Sequence, residues 1–173
     1  MLERLIVVSG APATGKTTVA RLIATKLDRP LLSLDTVKER LADELGLGDE
    51  AWSNSLDDAA AASIFGLVRD CRGAVVEGWW RRERRERAIV EFAGSDEVFC
   101  YCEPSLAQRR ALERLAENRH PIHRDVINPS LVERIAEAAG TTQPLGLGSR
   151  LVRVDTGHPV DAEDLVSRIA MPV

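Results

Sequence analysis

The chain has 173 residues, 45% hydrophobic and 29% charged, which suits one globular domain with a substantial core. Its net charge of −4 excludes nucleic-acid binding through a global basic field, so nucleic acid is an unlikely partner, although a local basic site stays open. No apolar run is long enough to span a bilayer, and Leu2-Glu3-Arg4 leads into a strand rather than a signal-peptide core, so the expected location is cytoplasmic with no membrane partner.

Leu5-Ile6-Val7-Val8 has the length and β-branched content of a buried strand. Gly10-Ala11-Pro12-Ala13-Thr14-Gly15-Lys16-Thr17 follows, a complete G-x-x-x-x-G-K-S/T. Val19, Leu22, Ile23 and Leu27 then recur at helical spacing. Strand, Gly-rich loop and helix together predict a phosphate cradle for a nucleoside triphosphate. Gly10 and Gly15 permit backbone dihedrals that a Cβ forbids. Successive loop N–H groups then converge on an anion, helped by the helix N-terminus. The candidate contacts are Gly10, Ala13, Thr14, Gly15, Lys16, Thr17 and Thr18. Lys16 is a point charge for the β- and γ-phosphates, and the Thr17 hydroxyl is a ligand for Mg²⁺.

Leu31 to Leu34 reads as a second strand, followed by a helix over Thr36 to Leu45 that Gly46 and Gly48 end. Asp35 stands at the strand's carboxyl end, where ligands sit in open parallel sheets. It is a candidate base, or a plain helix N-cap, or both. Residues 49–54 read as a loop, and a helix from about Ser55 places Leu56, Ala60, Ile64 and Leu67 on one face.

Residues 73–78 form the third strand, ending in Glu77. An apolar run ending in a carboxylate suits a magnesium or water ligand, although Asp is commoner there and a substrate hydrogen bond is the alternative. Trp79-Trp80-Arg81-Arg82 follows, then further Glu and Arg up to Arg87. The bland reading is a salt-bridged helix start. The sharper reading makes Trp79 and Trp80 an aromatic wall and gives Arg81 or Arg82 an anionic substrate group.

Residues 97–102 form the fourth strand, with Cys100 and Cys102 read as small core residues rather than a disulfide or metal pair. Ser105 and Gln108 suggest a capping box for a helix carrying Arg109, Arg110 and Arg114 and ending near Arg119. Arginines in this helix-loop-helix suit a lid over the phosphates, at about residues 115–130; ordinary surface arginines are the alternative. His120 and His123 lack the companions of a metal site and suit a substrate or lid contact. Leu151 to Val154 is the fifth strand, and the turn after it, with Thr156, lies where an adenine ring packs. Asp161 caps the last helix.

GAPATGKTTVA, LLSLDTVKERL, GAVVEGWWRRERRERA, CEPSLAQRRALERLAENRHPIH and RLVRVDTGHPVDAEDL together resemble the P-loop small-molecule kinases, in the grouping around bacterial chloramphenicol phosphotransferase, the zeta toxins and polynucleotide kinase. The resemblance spans nearly the whole chain. It implies a single α/β domain over residues 1–173, a three-layer sandwich whose five-stranded parallel sheet runs 2-3-1-4-5. It implies ATP with Mg²⁺ as donor and a hydroxyl-bearing small molecule as acceptor. It implies that Asp35 takes the hydroxyl proton, and that Arg110 and Arg114, or Arg119, are the lid arginines. A polynucleotide or nucleoside 5′-hydroxyl kinase and a non-kinase ATP-hydrolysing regulator are the alternatives.

Overall fold

In the computed structural model, which describes residues 4–71, 73–116, 120–123 and 129–170, β1 (Ile6–Ser9) lies at the centre of a parallel sheet. β2 (Leu31–Ser33), β3 (Val75–Glu77), β4 (Asp96–Tyr101) and β5 (Leu151–Asp155) complete it in the order β2-β3-β1-β4-β5. This is the expected P-loop NTPase arrangement. The chain runs outward from β1 to one edge and then to the other, which leaves the carboxyl end of β1 at a topological switch point.

Burial on both faces explains the near-continuous apolar strands. Side chains alternate along β1: Ile6 and Val8 join one core cluster and Val7 the other. On the first face the sheet packs against α1 (Lys16–Leu27) and α7 (Ala162–Ala170), through Val19, Ile23, Leu165 and Ile169. On the second it packs against α3 (Glu50–Asp70) and α4 (Arg82–Glu91), through Ile64, Phe65, Ala88 and Phe92. A smaller cluster joins α5 (Pro104–Ala116) and α6 (Pro129–Thr141) over Ala13 of the Gly-rich loop. Within α5, Ala107 and Ala111 turn inward while Leu112 is exposed, so the buried stripe is narrower than its leucines suggest. Cys100 and Cys102 are buried free thiols, and burial pushes the Cys100 thiol up to about 12, which leaves it unreactive at neutral pH.

Two boundaries differ from the sequence reading. α2 (Leu34–Leu45) begins at Leu34, so Ser33 is its N-cap and Asp35 lies inside the first helical turn. The N-cap reading of Asp35 is therefore corrected; its carboxylate still suits the positive end of the helix. α3 begins at Glu50, not near Ser55, because Asp49 Oδ1 accepts from the Trp52 N–H at 2.9 Å and caps it. Residues 50–54 are helical rather than loop. Among the described residues, no helix is long and apolar enough to cross a membrane.

Candidate functional site

The loop between β1 and α1 is held in a shape few residues tolerate. Gly10 has φ +139°, and a Cβ there would meet Thr14 Oγ1 at 2.9 Å and the Cys100 carbonyl closer still. Gly15 has φ +78°, with the Thr156 side chain 3.2 Å from where its Cβ would stand. Ala13 is also left-handed, at φ 61°, despite carrying a side chain. Thr14 Oγ1 donates to the Ala11 carbonyl at 2.8 Å, and Thr156 Oγ1 donates to the Thr14 carbonyl at 2.8 Å. The loop is thus pinned by its own side chains and by the turn after β5, with the N-terminus of α1 opening into it.

Lys16 is 7% exposed and its ammonium donates to the Ala11 carbonyl at 2.6 Å, reaching back across the loop. Burial lowers its pKa, and the carboxylates of Glu77 and Asp35 partly oppose that. A buried lysine facing two acids, at a helix N-terminus that favours anions, is a chemical match for phosphate oxygens.

Glu77 ends β3 and is 4% exposed. Its Oε2 accepts from Ser33 Oγ at 2.8 Å, and its Oε1 lies 3.4 Å from Thr17 Oγ1. One carboxylate and one hydroxyl form a hard oxygen pair beside the phosphate loop, a donor set that fits magnesium completed by phosphate and water oxygens. Among the described residues, no three His, Cys, Asp or Glu side chains gather as a larger metal cluster.

Asp35 shares a cleft of about 530 Å³ with Lys16, Thr17 and Glu77. Trp79 and Arg81 line the same cleft. Trp80 does not. It turns into the core, 5% exposed, stacked on Phe65 at 5.6 Å and edge-on to Phe92 at 5.0 Å. The paired-tryptophan wall is corrected to a single tryptophan, because neighbouring residues in extended chain point to opposite sides. Arg81 Nη2 donates to Asp57 Oδ2 at 3.1 Å, with its guanidinium over the Trp79 ring.

A second cavity of about 430 Å³ lies on the other side of the loop, lined by Gly15, Thr18, Arg110, Arg114, Thr156 and His158, among others. Gly15 and Arg114 line both cavities. Arg110 donates to the Thr156 hydroxyl at 3.2 Å and to its carbonyl at 2.7 Å, so it braces α5 against the turn after β5. Arg119 lies outside the described residues, as does half of the expected lid at 115–130.

The described piece of that lid, Pro121–His123, is a short 3-10 turn docked on α2 and α3. Ile122 is buried with Ala42 and Leu56, and Ser53 Oγ donates to its carbonyl at 3.1 Å. His123 Nε2 lies 2.7 Å from Glu39 Oε1, and His123 lines the larger cleft. His120 pairs with Asp43 at 3.1 Å and lies outside both cavities. Of the substrate and lid contacts expected of it, the pairing with Asp43 ties the lid turn to α2.

Sequence reasoning missed Ser33, Lys38 and Asp57. Lys38 follows Asp35 by three positions, which puts both on one helical face, a signal that was available. Asp57 in the run Leu56-Asp57-Asp58-Ala59 carries no such signal; only the packing of α3 against α2 turns it inward.

Residues 5–131 match a family model described as AAA domain. A solved structure of a candidate kinase from Chloroflexus aurantiacus J-10-fl is 30% identical, with a TM-score of 0.82 over 98% of this chain and 97% of that one. A shikimate kinase from Bacteroides thetaiotaomicron shares the fold at a TM-score of 0.62 and 22% identity, over 96% of each chain. A gluconokinase from Sinorhizobium meliloti 1021 does so at 0.60 and 20%, over 96% of this chain and 89% of that one. No curated protein matches the chain.

Proposed function

The chain belongs to the family of this AAA domain model and is structurally a P-loop kinase, and from that premise we propose that it moves the γ-phosphate of ATP to a hydroxyl of a small molecule. The observation that carries the reading is the shared cleft of Lys16 and Asp35. The two lie close enough for the Asp35 carboxylate to act on the Lys16 charge.

The loop N–H groups and Lys16 hold the β- and γ-phosphates, while the cavity beside Thr18, Thr156 and His158 takes the nucleoside. Asp35 orients the acceptor hydroxyl and takes its proton as the new O–P bond forms. Phosphoryl transfer passes through a loose transition state, so positioning contributes more than basicity. Lys16 and Arg114 offset the charge that gathers on the transferring group. Magnesium, when held by Thr17 and Glu77, supplies further neutralisation of the phosphate oxygens.

A small acceptor is favoured over a nucleic-acid end by how the basic run after Trp80 is spent. Arg81 and Arg84 turn to Asp57, Arg87 lies 3.8 Å from Glu91, and Arg85 donates to the carbonyls of Gln143 and Pro144. Of these, Arg81 and Arg84 turn into the cleft and the others pair within the fold, rather than lining an open track for a phosphate backbone.

The test is ADP release by the full chain with and without a panel of hydroxyl compounds, short oligonucleotides included. Acceptor-stimulated release, with the acceptor gaining a phosphoryl group, is expected and is lost in Lys16→Ala. Release that no compound stimulates would favour a slow hydrolase instead.

A further inference from the structure

Within the same cleft, one carboxylate holds three cations. Asp57 on α3 lies 3.2 Å from Lys38 Nζ, 3.1 Å from Arg81 Nη2 and 3.9 Å from Arg84 Nη2. The Lys38 and Arg84 side chains are only 7% and 11% exposed, so two of these charges have largely left water. Asp58 adds one looser contact, 3.6 Å from Arg84 Nε, out of a position that is 72% exposed. Arg84 Nε is itself buried and makes no hydrogen bond. All three cations line the cleft together with Asp35.

Three positive charges meet the one of Asp57, with that of Asp58 at the exposed rim, so the cations outnumber these two carboxylates by one, in a chain whose net charge is −4. Partly buried like charges repel, and a buried N–H without an acceptor is unfavourable. An oxyanion answers both, because guanidinium groups match the planar or tetrahedral oxygens of carboxylate and phosphate. Arg81 is held for that contact, its guanidinium carbon 5.5 Å from the Trp79 ring centre.

We propose that the acceptor is a small alcohol bearing an oxyanion group, a carboxylate or a phosphate monoester, which seats against Lys38, Arg81 and Arg84 while its hydroxyl faces Asp35. The hydroxyl half of this statement rests on the kinase reading; the oxyanion half does not. Asp35 and Lys38 are three residues apart on α2, and such neighbours have Cβ atoms about 5–6 Å apart. Hydroxyl and oxyanion therefore belong to one compact molecule. Asp57 is the internal counter-ion: it keeps the three cations together and competes with the incoming anion.

The experiment is a thermal-midpoint titration of the full chain at fixed ionic strength, with sodium chloride as the reference salt. The probes are hydroxy acids against their primary amides, sugar phosphates against the free sugars, and inorganic phosphate. Charged members are expected to raise the midpoint and their neutral partners not to; the pair that responds identifies the oxyanion. Arg81→Gln and Arg84→Gln are each expected to raise the apparent Kd of the charged probe at least tenfold, while the shift induced by ATP is kept. Asp57→Asn is expected to lower that Kd several-fold, an opposite sign that mere loss of folding does not produce. The proposal is overturned if neutral partners bind as well as charged ones, or if no charged probe exceeds the reference salt. Binding insensitive to both arginine variants, or weakened by Asp57→Asn, overturns it too. Loss of the ATP shift in the wild type with the oxyanion shift intact would instead remove the kinase reading and leave this one standing.

Discussion

Ser33 Oγ donates to Glu77 Oε2 at 2.8 Å, across a β2–β3 register that sets the two residues side by side. Ser33 is also the N-cap residue of α2, yet its side chain makes no capping bond. A capping hydroxyl contributes about 1 kcal/mol, so the fold gives up that much to aim Glu77. The other Glu77 oxygen is thereby left facing Thr17. Ser33→Ala is expected to raise the magnesium concentration needed for half-maximal turnover by about tenfold, the usual scale for loss of a group that orients a metal ligand. Metal-free nucleotide binding should not change. Turnover against magnesium concentration checks it.

Glycine at position 10 is a steric requirement as well as a dihedral one. Gly10→Ala places a Cβ against the Cys100 carbonyl and Thr14 Oγ1 at a φ of +139°. We expect a loss of about 2–4 kcal/mol in denaturant unfolding. Gly46→Ala, at φ +88° and ψ 170° with nothing within 4 Å, should cost about 1–3 kcal/mol through backbone strain alone.

Lys16 should weaken the protein it serves. Its pKa is lowered from 10.5, chiefly by burial. Between that lowered value and 10.5, the unfolded chain binds more proton than the native one, so stability rises with pH across that window. Below the window the penalty is present in full. Lys16→Met is therefore expected to stabilise the nucleotide-free protein at pH 7, on the order of 1 kcal/mol, and to flatten the rise toward high pH. It should also abolish ATP binding. Melting curves across pH, with a nucleotide titration, check both.

Thr156 ties three segments together: its hydroxyl donates to the Thr14 carbonyl and accepts from Arg110, and its carbonyl accepts from Arg110 as well. Thr156→Val keeps the shape and leaves the Thr14 carbonyl short of its donor. A loss of about 1–3 kcal/mol is expected, with weaker ATP binding because the loop loses its outer pin. Arg110→Lys, which cannot span hydroxyl and carbonyl in a fork, should act in the same direction. Denaturation and nucleotide titration of both variants check this.

How much the sequence reveals follows the range of the interactions. The phosphate loop was legible because Gly10, Gly15, Lys16 and Thr17 act within eight positions, between a strand and a helix that each show their own period. The strand order came from resemblance, since spacing alone does not say which edge a strand joins. Glu77 was legible as a strand-end acid, but its bond to Ser33 depends on register between strands 44 residues apart. Trp79 and Trp80 read alike, and one faces the cleft while the other fills the core. Asp57 gathers its cations from α2, from the turn before α4 and from α4 itself, a meeting that exists only after α3 has packed. Arg119 stays a sequence expectation, outside the described residues.

Phosphate transfer turns on Asp35, and the most direct measurement compares the wild type with Asp35→Asn for ATP affinity and for acceptor-stimulated ADP release. Unchanged ATP binding with transfer lowered about 100-fold or more is the predicted result, since a positioned base typically contributes that much. Asp35→Asn that transfers phosphate to its acceptor at the wild-type rate would contradict the account.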